Sequence, residues 1–257
     1  MFVKSRLRGE TKMQETNISI FPEQMQIFSG SALKMIAFAI MLIDHTASIL
    51  LQLYQPAMNT YLSFFGKSYS IYRICRNVGR LAFPIFCFLL VEGFVHTKSR
   101  TRYARNLLLF ALISEIPWNL GFGRNLHYAK QNVYFTLLLG FLGMCLAEYF
   151  KESRILQMVC VFALLMVSMK LNADYSYRGY LFIMIMYYLR NERVGQALVG
   201  SCWLYYEWVA GFAFIPINMY NGKRGFIKSK LLKYLGYSFY PLHITALIIL
   251  RRLIFHI

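Results

Sequence analysis

Negative charge is scarce in this 257-residue chain: 11 Asp and Glu stand against 28 Lys and Arg, and charged residues of both signs make up only 15%. Six prolines among 17% aromatics exclude collagen-like and Pro-rich disordered chains. The five cysteines (Cys75, Cys87, Cys145, Cys160 and Cys202) are odd in number and show no CxxC or Cys/His spacing. They read as reduced packing residues, with no metal site. There is no Walker loop, GxSxG elbow or HExxH pair, so ATP-driven pumping, serine hydrolysis and zinc proteolysis lose their usual machinery. Residues 1–28 carry Lys4, Arg6, Arg8 and Lys12 without an apolar segment before a cleavage site, so no cleavable signal peptide is expected.

What is present is apolar surface. Hydrophobic residues make up 58% and the mean hydropathy is +0.44, more than a soluble core of this size hides. Apolar runs recur at 33–53, 78–96, 104–120, 132–150, 154–170, 177–190, 194–220 and 236–255. Most lie near the ~20 residues that cross a hydrocarbon layer, and lipid offers no partner to unpaired backbone groups, so each run is expected to be helical. The fold class that follows is all-α, a polytopic membrane helix bundle of about eight to nine transmembrane helices. A short basic cytoplasmic segment over 1–28 is expected to precede one integral-membrane domain over 29–257.

The net charge of +17 would suggest nucleic acid on a soluble protein. Here the cations cluster between apolar runs, the pattern of loops held inside by positive charge, so the lipid bilayer is the expected partner and nucleic acid is not. The run 194–220, with Glu207 and Gly211 at its middle, is long for one span and short for two. Folding it back on itself puts 18 of the 28 Lys and Arg on the side of the N-terminus, whereas one span gives 15 against 13. The nine-span arrangement with a cytoplasmic N-terminus is therefore preferred. The aromatic-rich stretch 57–66 reads as interfacial.

Ionisable groups inside spans are costly and mark function or helix pairing. Asp44 and His45 are adjacent in the first run, and counting from Lys34 places His45 about 16 Å deep, near the midplane. Neighbours on a helix point about 100° apart, so Asp44 cannot orient its neighbour's imidazole as a triad carboxylate would. Arg80 opens the second run and Glu92, followed by His96, lies near its other end. Arg80 is either a functional cation or a snorkelling one. In the third run Glu115 stands two residues before Pro117, and a proline kink beside a carboxylate opens room for a cavity. Asn132 and Thr136 lie one turn apart, and Glu207 and His243 complete the set. A buried His with carboxylates and Arg suits proton abstraction and group transfer, with cationic loops to hold an anionic donor by its phosphates.

These residues fall in ordered motifs. Leu33-Lys34-Met35-Ile36-Ala37 through Met41-Leu42-Ile43-Asp44-His45, Gly79-Arg80-Leu81-Ala82-Phe83-Pro84 with Glu92-Gly93-Phe94, Ile113-Ser114-Glu115-Ile116-Pro117 and Asn132-Val133-Tyr134-Phe135-Thr136-Leu137 resemble the TraX family. The likeness covers about residues 30–145, and Tyr240-Pro241-Leu242-His243 more loosely. The family takes its name from an inner-membrane protein that N-acetylates conjugative pilin, and it is similar to the acyltransferase-three and heparan glucosaminide acetyltransferase enzymes. The resemblance implies a bacterial inner-membrane acetyltransferase using acetyl-CoA or another acyl-CoA as donor, with His45 as base or transient acyl acceptor and Asp44 beside it. Arg80, Glu92, Glu115, Asn132 and His243 are then expected to line the substrate site. Lys98, Arg100, Arg102 and Arg105 are expected to hold the donor's phosphates at the cavity mouth. The acceptor is a protein, such as the pilin N-terminus, or a glycan.

Two other classes compete. A proton-coupled transporter would relay protons through Asp44, His45, Glu92 and Glu115, and should show paired inverted halves with broken helices. A non-catalytic assembly factor would use the same polar set as helix glue. In the enzyme, Asp44, His45, Arg80, Glu115 and Asn132 should share one cavity.

Overall fold

A computed structural model describes residues 20–64, 67–126 and 128–256. Most of the basic N-terminal segment, up to residue 19, and positions 65 and 66 of the 57–66 stretch lie outside the described residues. The chain is an all-α bundle, and its helices begin where the sequence supplies caps. Side chains of Ser29, Ser70, Ser99, Asn132 and Ser229 accept hydrogen bonds from the first-turn amides of α1 (Gly30–Ile49), α3 (Ile71–Gly79), α5 (Arg100–Trp118), α6 (Val133–Tyr149) and α11 (Lys230–Phe255). Each cap satisfies one of the four donors that a helix start leaves without an internal partner.

Between α1 and α3 lie a short helix α2 (Gln55–Met58) and an antiparallel hairpin of β1 (Thr60–Phe64) and β2 (Lys67–Ser70). The aromatic stretch read as interfacial thus contributes the first strand of a hairpin arm. The remaining helices are α4 (Ala82–His96), α7 (Arg154–Leu171), α8 (Ser176–Tyr188), α9 (Arg193–Trp203) and α10 (Phe214–Asn218). Gly30–Leu53, Ile71–His96, Arg154–Leu171 and Lys230–Phe255 are long and apolar enough to cross a membrane, and Val133–Tyr149 is a shorter apolar helix.

The ambiguous run 194–220 is folded back. After α9 the chain runs through a 3₁₀ segment (Tyr205–Ala213), whose regular turn breaks at Glu207 (φ −127°, ψ 55°), and returns through α10. Gly200 packs on the Phe214 ring and Gly211 on Ser201, so the two arms lie side by side. Glu207 stands at the bend.

Contacts between helix ends define two faces. On one, termed the N-side, Phe28 pairs with Tyr220 and the Gly30 amide donates to the Lys223 carbonyl. On the far side Gln131 pairs with Ala173, and the buried Arg251 donates to the carbonyls of Leu120 and Gly121. Those two carbonyls belong to a π-helical turn (Asn119–Gly123) that follows Pro117. Arg251 thereby satisfies backbone acceptors that the irregular turn leaves open.

The centre of the bundle is α4, apolar on every side, with Phe83, Ile85, Cys87, Phe88, Leu90, Val91 and Phe94 all buried. A helix without a polar face is the one that neighbours surround. By contrast, only 6% of the apolar window of α7 is buried in the protein, which leaves Ile155, Met158, Val159 and Phe162 for lipid. Without a hydrophobic drive between helices, close approach comes from small residues. At the α6–α8 seam a Cβ on Gly140 would lie 2.5 Å from Ile183 Cδ1 and 3.0 Å from its Cβ. Gly140→Leu is expected to destabilise by about 1–3 kcal/mol through overpacking, read as a lowered melting temperature in detergent.

Candidate functional site

Helices α1 and α11 bring together two histidines that are 198 positions apart in the chain. The rings of His45 and His243 lie parallel, centroids 4.9 Å apart and tilted by 11°, with His45 Nδ1 2.6 Å from His243 Nε2. Both residues are buried. His243 Nδ1 is also 2.6 Å from the carbonyl oxygen of Phe239. A carbonyl only accepts, so the proton of His243 sits on Nδ1 and its Nε2 presents a lone pair. His45 Nδ1 must then donate to that lone pair, which leaves Nε2 of His45 as the basic atom. Among the described residues that nitrogen has no hydrogen-bond partner. Phe122 and Tyr240 pack edge-on against the His45 ring at 5.2 and 5.7 Å, and Phe239 stacks on His243 at 4.8 Å.

Two local features position this pair. Ser29 starts α1 one turn earlier than Lys34, so His45 lies about 22 Å along the helix rather than 16 Å, in its far-side half. In α11, Pro241 has no amide to give the carbonyl of Tyr237, and the Tyr134 hydroxyl donates to that oxygen instead at 2.9 Å.

Asp44, pointing away from its neighbour, forms a separate group. Arg76 Nη1 donates to Asp44 Oδ2 at 2.6 Å, and Gly79 is bare where the carboxylate packs. Arg80 pairs with Glu207 at the bend between α9 and α10, 3.2 Å away. Arg80 also lies within electrostatic reach of Tyr175, Asp44 and Asp174. The second oxygens of Asp44 and Glu207 are buried without a hydrogen-bond donor.

Glu115 and Asn132 make a third contact. Asn132 Nδ2 donates to Glu115 Oε2 at 2.6 Å and to the Ala111 carbonyl at 2.8 Å, while its Oδ1 caps α6 at the Tyr134 amide. Thr136, one turn beyond Asn132, donates to the Asp174 carbonyl in the turn between α7 and α8, a contact between helices. Tyr240 links the groups, because it touches His45 and interacts electrostatically with both Glu115 and Asp174.

The five residues expected in one cavity therefore form three adjoining far-side contacts: His45 with His243, Asp44 and Arg80 with Arg76 and Glu207, and Glu115 with Asn132. Glu92 is apart from them. It lies toward the N-side end of α4, 3.8 Å from Arg193 and 3.9 Å from His96. Lys98, Arg100, Arg102 and Arg105 are exposed on that same face, and the Arg100 guanidinium covers the Phe94 ring at 4.3 Å. Among the described residues no group of three His, Cys, Asp or Glu is placed to hold a metal ion.

Arg76, Asp174 and Tyr240 were not singled out from the sequence. The spacing Arg73, Arg76, Arg80 at three and four residues was a visible sign of a cationic helix face, but the partner of that face was not. Arg76→Ala strands the Asp44 carboxylate beside Gly79. The expected loss is about 1–3 kcal/mol, reduced from the cost of a fully buried pair by the residual exposure of both partners, and adding Asp44→Asn should restore part of it. Thermal unfolding of the single and double variants in detergent measures both effects.

Comparison with known proteins supplies the context. A protein of Dichelobacter nodosus described as "Probable fimbrial assembly protein FimC, serogroup H1" is 28% identical over 252 residues, covering 86% of this chain and 94% of its own length. No solved structure matches. The family model described as "TraX protein" matches residues 29–251, the whole bundle from the first capped helix to the buried Arg251, and the chain belongs to the TraX family.

Proposed function

We propose that the protein is an integral-membrane acyltransferase, moving an acetyl group from a cytoplasmic acyl-CoA to an amine or hydroxyl of a membrane or surface acceptor. The observation that carries this reading is the histidine pair, whose hydrogen bonds run from the Phe239 carbonyl through His243 to His45 and end on a lone pair at His45 Nε2. The role of Phe239 and His243 is to hold one tautomer, as an orienting group does for a general base.

The chemistry follows from that arrangement. The acceptor nitrogen or oxygen attacks the thioester carbonyl carbon and gives its proton to His45 Nε2. The resulting imidazolium donates from Nδ1 to the neutral His243, which keeps the charge shared between two rings that exclude water. The C–S bond then breaks, and the thiolate takes the proton back from Nε2. Asp44 and His45 engage different partners, which favours transfer at His45 over a proton relay running through both.

The acceptor we favour is a pilus subunit, because the Dichelobacter nodosus relative is described as a fimbrial assembly protein. With the N-terminus in the cytoplasm of a bacterial inner membrane, the N-side cations face the acyl-CoA pool and the far-side groups face the acceptor. Labelled acetyl-CoA added to membranes holding equal amounts of each variant tests the assignment. His45→Gln is expected to lower the initial rate about 10²–10⁴-fold, and His243→Gln less. Unchanged incorporation in His45→Gln would overturn the role of His45.

A further inference from the structure

The N-side carries a cluster of cations that ordinary loop charge does not explain. Three segments meet there: the start of α1, the start of α5, and the loop 222–229 running into α11. The loop is clamped to α1, since Gly30 and Ser31 donate their amides to the carbonyls of Lys223 and Arg224, and Ser31 Oγ donates to Arg224 and accepts from the Ile227 amide. Helix α5 is tied to α11 through stacking of Phe110 on Tyr237, ring centroids 5.2 Å apart.

These contacts converge four cations. Lys34, one turn beyond Ser31, is half-buried and runs past Gly236, where a Cβ would come 3.9 Å from Lys34 Cδ. Arg224 and Lys233 lie within electrostatic reach of Lys34, and Arg224 and Arg102 within reach of Lys233. Residues 29–43, 97–114 and 208–257 contain no Asp or Glu at all. Elsewhere on this face Glu92 and Glu148 are engaged with Arg193, His96 and Lys151, and Glu23, Glu152 and Glu192 lie on other segments of it. Among the described residues the Lys34 ammonium has no hydrogen-bond or ion-pair partner. Topology needs only exposed cations. A half-buried ammonium facing other cations is unfavourable unless an anion completes the group.

We propose that Lys34, Arg102, Arg224 and Lys233 form a phosphate-binding site, filled by the phosphates of the nucleotide that carries the acyl group. The identity of the nucleotide rests on the acyltransferase reading above; the anion site does not. The set shares only Arg102 with the four cations expected from sequence. Gly236 keeps α11 open beside Lys34, and Lys34 and His45 both belong to α1, eleven residues apart, so one helix would connect the phosphate anchor to the reacting thioester about 16 Å away.

Coenzyme A titrated calorimetrically into the full-length protein in phosphatidylcholine nanodiscs tests the site without any turnover. Lys34→Gln and Lys233→Gln are each expected to weaken binding about tenfold or more, with Lys34→Arg retaining most of it. Lys151→Gln, an exposed cation of the same face, should stay within about twofold. Removing the 3′-phosphate, as dephospho-coenzyme A, should also weaken binding. Equal affinity in wild type and both Gln variants overturns the site, even if His45 proves essential for transfer. Retention of phosphatidylglycerol that is lost in Lys34→Gln, with no coenzyme A binding, assigns the cluster to a lipid headgroup and overturns the proposal. Coenzyme A binding that depends on Lys34, in a protein that transfers no acetyl group, supports the site and sinks the acyltransferase reading instead.

Discussion

A polar group removed from water must find its partner within the protein, and in this chain that requirement chooses which helices meet. His45 needs an acceptor for Nδ1–H, and it finds His243 on α11. Asp44, a hundred degrees round the same helix, needs a cation and finds Arg76 on α3. Two neighbouring side chains on α1 thus recruit two different helices, and the bundle is organised around that helix as much as around the apolar α4. In a soluble protein, water would share this work. In an apolar surrounding each unmet group costs several kcal/mol, so the partners are specified.

At three places irregular backbone positions a group. The π-helical turn after Pro117 carries Phe122 to the edge of the His45 ring, and Arg251 satisfies the carbonyls the turn exposes. The bend at Glu207 carries a carboxylate to Arg80. Pro241 leaves a carbonyl that Tyr134 fills. In each case non-helical geometry lies against protein, where side chains replace the missing backbone partners. Such a framework holds a base in one tautomer while its other nitrogen stays open, the preorganisation that a transfer reaction needs.

The far side holds His45 with His243 and the engaged carboxylates of Asp44, Glu115 and Glu207, while on the N-side Lys34, Arg102, Arg224 and Lys233 lie on three segments that carry no carboxylate. A donor held by its phosphates on one face and an acceptor reached from the other would meet along α1.

Composition and apolar periodicity were enough to establish an all-α bundle, because hydrophobic content of 58% forces helices wherever lipid is the solvent. The capped starts at Ser29, Ser99 and Ser229 lie four to seven residues ahead of the apolar runs, because capping is local polar chemistry that a hydrophobic run does not register. The need of Asp44 and His45 for partners was legible too, because a polar group inside an apolar run is costly wherever it lies. Helix geometry already turned the two apart, but sequence could not tell that Asp44 would meet Arg76, that His45 would pair with His243 across 198 positions, or that Arg251 is a buried clamp. Partner choice depends on which faces the packed helices turn to one another, and that is decided by side-chain contacts between segments distant in the chain. Only the tertiary structure brings those segments together.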